Sequence, residues 1–193
     1  MCQFKSGIIM KDRVFVPDYD SHTDMLNELG IEDNVQNAQT KFIRAELIPT
    51  NGDVFSDIST WRFNVDQDIL PDWYVEQYDK QRMIDAVKEW AKSHVHVGED
   101  NLRIDSGAGH YIEDCHNVVI CGNATVERIC GNTTVNDIYG DATVKRICGN
   151  ATVIGSPYGW NNKDKMTIKD NATFKDRATK TIWQAGGWSF KSV

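Results

Sequence analysis

No run of 18 apolar residues occurs in this 193-residue chain, so no segment has the length and apolarity that a membrane-crossing helix needs. The start, MCQFKSGIIMKDR, lacks the positive region, apolar core and small-residue cleavage site of a secretory leader. A cytoplasmic protein with no membrane partner is the expectation. No CxxC pair occurs among the five cysteines (Cys2, Cys115, Cys121, Cys130 and Cys148), which removes the paired spacing of structural zinc sites. Their odd number and the expected compartment point to reduced thiols. A surplus of basic residues is missing too. Residues 1–104 hold 19 Asp and Glu against 11 Lys and Arg, and residues 105–193 hold 9 against 10, so neither half offers the cationic surface that phosphate contact requires. Nucleic acid is therefore an unlikely partner, and the acidity belongs to the first half.

With about 40% apolar and 25% charged residues, the chain has the composition of an ordinary globular protein. Its strongest pattern is a nine-residue tandem repeat within residues 112–155: ICGNATVER from Ile120, ICGNTTVND from Ile129, IYGDATVKR from Ile138 and ICGNATVIG from Ile147. Ile, Gly, Ala or Thr, and Val at positions 1, 3, 5 and 7 alternate as in a strand with one buried face, which leaves positions 8 and 9 for the turn. One such unit cannot bury its apolar face alone. Stacked units of constant length predict a parallel β-solenoid, with two units per coil of about 18 residues the preferred geometry. Glycines at 122, 131, 140 and 149 then read as small inward residues. The outward columns would carry Cys121, Cys130, Tyr139 and Cys148, then Asn123, Asn132, Asp141 and Asn150, then Thr125, Thr134, Thr143 and Thr152. Ladders of identical polar side chains account for that regularity by stacking alone. Cys130 and Cys148 fall one coil apart, within conceivable disulfide reach. Calcium is not implied, because the GGxGxD turn of the calcium-binding roll is absent. The N-x-T sequons at Asn123, Asn132, Asn150 and Asn171 are by-products of the repeat.

The pattern weakens at both ends. LRIDSGAGHYIEDCHNVVI before it reads as an opening coil; after it a loop containing GSPYGWNNKDK intervenes, IKDNATFKD from Ile168 resumes the unit, and the aromatic tail IWQAGGWSFKSV caps the end. In the first hundred residues, Ser21 to Asp24 form a capping box for a short helix that Gly30 stops. GIIMKDRVFV, KFIRAELIPT and STWRFNVDQD read as strands, and a long helix begins at Pro71 and Asp72, with Met83, Val87, Trp90, Ala91 and His94 on one face. The fold class is an α+β N-terminal domain over residues 1–100, of β-α-β-β-α order, followed by an all-β parallel β-solenoid over 101–193.

Three features could carry chemistry. Removal of Met1 would expose Cys2 as a thiol beside an α-amine, the pairing used by N-terminal nucleophiles, although the partner motifs of those enzymes are absent. His94, His96, His110 and His116 crowd together with Cys115, in spacings that match no standard metal site. Trp61, Asp66, Asp68, Asp72, Trp73 and Tyr74 combine carboxylates with rings, a surface able to hold a cation, a sugar or an Arg-rich peptide. This last group is the expected binding site. No cofactor, metal or catalytic residue is assigned.

At GNATV, Gly122 to Val126 and again Gly149 to Val153, the chain resembles solenoid tails on proteins of bacteriophages and gut bacteria; FIRAELIP from Phe42 and FNVDQDILPDWY from Phe63 are similar to small proteins of the same source. The likeness covers most of the chain. It implies an accessory gene of a phage or mobile element, a class that often encodes inhibitors of host defence, and it brings no functional residue with it. The expected function is thus a non-enzymatic protein that binds a protein partner through its acidic domain. Two alternatives stand beside it: an enzyme using Cys2, and a structural protein that self-assembles through the edge or cap of its solenoid.

Overall fold

Ile8 and Ile9 face opposite sides of one strand and both are fully buried, so the first sheet must be covered on both faces. The computed structural model describes residues 5–185 and, as backbone, 189–191. The chain divides into two compact units, residues 1–93 and 94–193. The first is a four-stranded antiparallel sheet in the order β2-β1-β3-β4, from β1 (Lys5–Met10), β2 (Val14–Phe15), β3 (Phe42–Ile48) and β4 (Arg62–Val65). Helices α1 (His22–Glu28) and α2 (Val35–Ala38) supply Met25, Leu26 and Ala38 to a cluster with Ile8, Met10 and Phe42. On the other side α3 (Glu76–His94) lays Met83, Ile84 and Val87 against Ile9, Ile43, Ala45 and Leu47. Ser21 caps α1 by accepting from Asp24 N–H at 3.3 Å, and beyond Gly30, at φ +66°, Ile31 N–H returns to Leu26 O, as the sequence predicts.

Two local expectations are corrected by the backbone, and one short helix is added. GIIMKDRVFV is not one strand but a hairpin, because Lys11, Asp12 and Arg13 turn the chain and Met10 N–H bonds Arg13 O at 2.8 Å. Asn34, an N-cap to Asn37 N–H at 2.8 Å, opens the short α2 that the apolar pattern did not reveal. The long helix starts at Glu76 rather than at Pro71. Residues 71–74 close a separate turn, Tyr74 N–H to Pro71 O, and buried Asp79 accepts from Val75 N–H at 2.9 Å as the helix begins.

The second unit is a β-solenoid of about five turns, with parallel strands over residues 95–176. In the repeat each nonapeptide gives one strand, and successive strands alternate between two sheets, so a coil consumes two units. Thr125 pairs with Thr143, Ile129 with Ile147 and Thr134 with Thr152, each 18 residues on. Coil length is not constant along the chain: Val95 pairs with Tyr111 and Ile104 with Ile120, 16 residues on, while Ile147 pairs with Ile168 and Thr152 with Thr173, 21 on. The loop before Thr167 takes up the excess and sends Trp160 into the core, its Nε1–H on Ala142 O at 2.8 Å and its ring edge-on to Phe174 at 5.6 Å. Thr181–Gln184 then pairs antiparallel with Thr173–Asp176, and Ser189–Lys191 with Thr181–Gln184, ending the parallel ladder of that sheet.

The turn lies elsewhere in the repeat than the alternation suggested. Positions 8 and 9 run through the strand, as Glu127 and Arg128 do in Thr125–Cys130, and the chain reverses at Cys-Gly-Asn. Ala124 N–H bonds Cys121 O at 3.3 Å and Ala151 N–H bonds Cys148 O at 3.4 Å; the first central residue, Gly122 or Gly149, has φ of +60° or +64°. These glycines are therefore turn residues and not inward spacers. Of the adjoining cysteines, Cys121 and Cys130 are buried and Cys148 is half-buried, outside the core cluster of Ile, Ala and Val: Cys130 pairs in register with Glu113 and donates to its Oε1 at 3.6 Å. The asparagine column is outward and forms a ladder, with Asn132 Nδ2–H on Asp114 Oδ1, Asn150 Nδ2–H on Asn132 Oδ1 and Asn171 Nδ2–H on Asn150 Oδ1, at 3.1–3.2 Å.

Candidate functional site

The acidic-aromatic segment separates into an inward and an outward set. Trp61 is buried where η-turn residues 58–60 lead into β4, its Nε1–H on Ser56 Oγ at 2.9 Å. Trp73 donates to Thr40 O at 2.8 Å and packs on the core with Tyr74, whose hydroxyl is pushed above its usual range by burial and by Glu76 and Asp79. The rings thus mostly serve packing. Asp66, Asp68 and Asp72 are exposed, and interleaved with them are side chains the sequence reading did not single out: Ile69 at 38% exposure, Leu70 at 43%, Val75 at 57% and Tyr78 at 64%. The clue was present in ILPDWYVEQY, an apolar-acidic run with no period that would bury all its apolar members. Exposed apolar and aromatic side chains thus alternate with exposed carboxylates along this segment.

Asp66 also belongs to a second arrangement. Its Oδ2 lies 3.3 Å from Nδ1 of His22, the first residue of α1, whose Nε2 lies 3.2 Å from Ala45 O on β3. Glu46, next on β3, accepts from Asn64 Nδ2 at 3.2 Å, its register partner on β4. One ligand atom from each of His22, Glu46 and Asp66 falls within 4.8 Å of the other two, which among the described residues is the group able to hold a metal ion. Sequence reasoning named only Asp66 of these three. Sheet pairing and α1 bring together residues 20 or more apart in the chain.

The histidine set is packed without being gathered into a metal site. His94 stacks on His110 at 5.1 Å and His96 on His110 at 5.7 Å between ring centroids, all three buried. His96 Nδ1 faces Glu99 Oε1 at 3.1 Å, His110 Nε2 faces Ser106 O at 3.0 Å, and His116 is exposed. Cys115, whose thiol is pushed up by burial, donates to Glu113 O. Cys130 and Cys148 are free thiols on adjacent coils; Cys130 Sγ donates to Glu113 Oε1 and Cys148 Sγ to Ile129 O, each at 3.6 Å. The two thiols lie close enough to oppose each other's titration: the Cys130 neighbour, aided by Arg128 and Arg146 and opposed by burial, draws the Cys148 thiol down, while its Cys148 neighbour and burial push the Cys130 thiol up. Cys2 lies outside the described residues. No described helix is long and apolar enough to cross a membrane.

Residues 146–156 match the family model described as the YdcK beta solenoid repeat. That stretch is Arg146–Ile147, the turn at Gly149 and the strand Thr152–Gly155 with Ser156, so the matched piece is one repeat unit of the solenoid. No curated protein and no solved structure matches the chain.

Proposed function

We propose that the protein is a non-enzymatic, cytoplasmic binding protein whose acidic first unit engages a protein partner, while the solenoid serves as a rigid support. The observation that carries this reading is the interleaving, over residues 66–78, of exposed Ile69, Leu70, Val75 and Tyr78 with exposed Asp66, Asp68 and Asp72. Apolar groups interleaved with carboxylates select a partner that offers apolar and basic groups together: burial supplies affinity, and the charges set orientation and encounter rate. The acidic balance of the first half, 19 against 11, extends the same field.

In the specific version, the protein is an accessory factor of a phage or mobile element that antagonises a bacterial defence system. The chain is expressed in hosts carrying individual defence systems, and phage plating is scored beside a Leu70→Ala, Tyr78→Ala double variant. Restored plating with the intact chain and its loss in the double variant are the expected results. Unchanged plating across the panel removes the anti-defence version. Capture of a partner that persists undiminished in a correctly folded double variant removes the surface.

A further inference from the structure

The geometry points to a divalent transition-metal site formed by His22, Glu46 and Asp66 on the first unit. Both ring nitrogens of His22 face oxygen acceptors, Ala45 O at 3.2 Å and Asp66 Oδ2 at 3.3 Å. A neutral imidazole has one N–H to give and serves only one of them. With the proton on Nε2, donated to the backbone carbonyl, the Nδ1 lone pair confronts a carboxylate, and a positive charge is needed between the two. The His22 side chain is 10% exposed and tied to the sheet, so the ring cannot swing out to water to escape the conflict.

The surroundings favour a metal ion as that charge. Glu46 brings a second carboxylate within 4.8 Å of both groups, fixed through Asn64, so an added proton would neutralise one of two negative charges whereas a divalent ion offsets both. Anchoring of the distal imidazole nitrogen by a backbone carbonyl is also the usual support of a metal-bound histidine, because it fixes the tautomer with the lone pair toward the ion. The 3.3 Å between His22 Nδ1 and Asp66 Oδ2 is the spacing that two ligands at about 2.0–2.2 Å from one ion would have. One imidazole and two carboxylates select a borderline ion such as Zn²⁺ over Mg²⁺ or Ca²⁺, which prefer all-oxygen shells. Asp66, at 60% exposure, leaves the outer side of the ion open to water.

The test is calorimetric titration of the chelator-treated full chain with Zn²⁺, together with Asp66→Asn, Glu46→Gln and Cys148→Ala variants. Loss of even an outer-shell partner costs metal sites about 10–100-fold in affinity, so Asp66→Asn should weaken binding at least about tenfold. Cys148→Ala should bind as the parent does, separating this site from the thiols. A Co²⁺ complex without a thiolate charge-transfer band is expected alongside. Binding that survives Asp66→Asn, or that vanishes in Cys148→Ala, overturns the assignment, as does the absence of binding at millimolar metal, which would leave His22 and Asp66 a simple ion pair. Asp66 is exposed, and its variant is checked by thermal melting, so failure to fold is not mistaken for failure to bind.

Discussion

Gly149 lies directly over Gly131 of the preceding coil, so closely that a Cβ added to it would stand 2.9 Å from the Gly131 nitrogen and 3.0 Å from its oxygen. Two separate demands therefore meet at one residue: a left-handed backbone and the absence of any side chain. Gly98, at φ +66° with nothing within 4 Å, carries only the first. Gly98→Ala should cost about 1–2 kcal/mol, the usual left-handed penalty of an L-residue. Gly149→Ala should cost clearly more, because backbone cannot move aside as a side chain can. Urea midpoints of the two variants check this, and equal losses would show that the stack yields.

Cys148 should be the first described cysteine to react with iodoacetamide. Its thiol is drawn below the ordinary range by the neighbouring Cys130 thiol, with Arg128 and Arg146 adding positive field, so thiolate is present above the lowered pKa and lost below it. The alkylation rate should climb with pH and level off at a lower pH than that of an ordinary thiol. Cys130→Ala removes the neighbouring thiol and should move the midpoint upward, toward an ordinary thiol; peptide mapping across a pH series reads both effects.

Asp79 is buried and accepts from Val75 N–H and from Arg82 Nη1, whose other nitrogen bonds Met10 O, so it links the start of α3 to β1. Asp79→Ala leaves the guanidinium without its carboxylate, and removing one member of such a buried pair costs about 3–5 kcal/mol. Denaturant unfolding monitored by tryptophan fluorescence should show a lower midpoint for the first unit, with the solenoid transition in place.

Trp160→Ala empties the core position beside Phe174 and should cost about 3–5 kcal/mol. Trp160→Phe keeps a ring there and loses the bond to Ala142 O, which Asn162 Nδ2 also reaches at 3.0 Å. The carbonyl keeps a donor, so the second variant should lose only about 1 kcal/mol. Thermal midpoints rank the two.

The period and the 18-residue coil of the repeat were legible because Ile, Ala or Thr, and Val recur at fixed spacing and are buried, as Ile129, Thr133 and Val135 are. The turn was not, since glycine fits an alternating small-residue column as well as a left-handed corner. The neighbouring residue distinguishes them: Gly-Asn or Gly-Asp stands at each corner from 122 to 150, a turn pair that alternation counting ignores. The inward turn of Trp61 was equally hidden, because an aromatic beside carboxylates reads alike in a core and on a surface. His22 and Glu46 had no local signal at all; α1 and the β3–β4 register make them neighbours of Asp66.

Two strands per coil also govern how a gene for this fold can grow or shrink. Unequal crossing-over between the near-identical repeats adds or removes units of nine codons. An even number returns every downstream strand to the sheet it left, so the hairpin after Thr173 emerges on the same side relative to Val95–Val97. An odd number brings it out on the opposite side with every corner and core contact intact. Within families of this architecture, lengths should therefore differ by multiples of 18 residues wherever the two ends must keep their relative facing, and by nines where they need not.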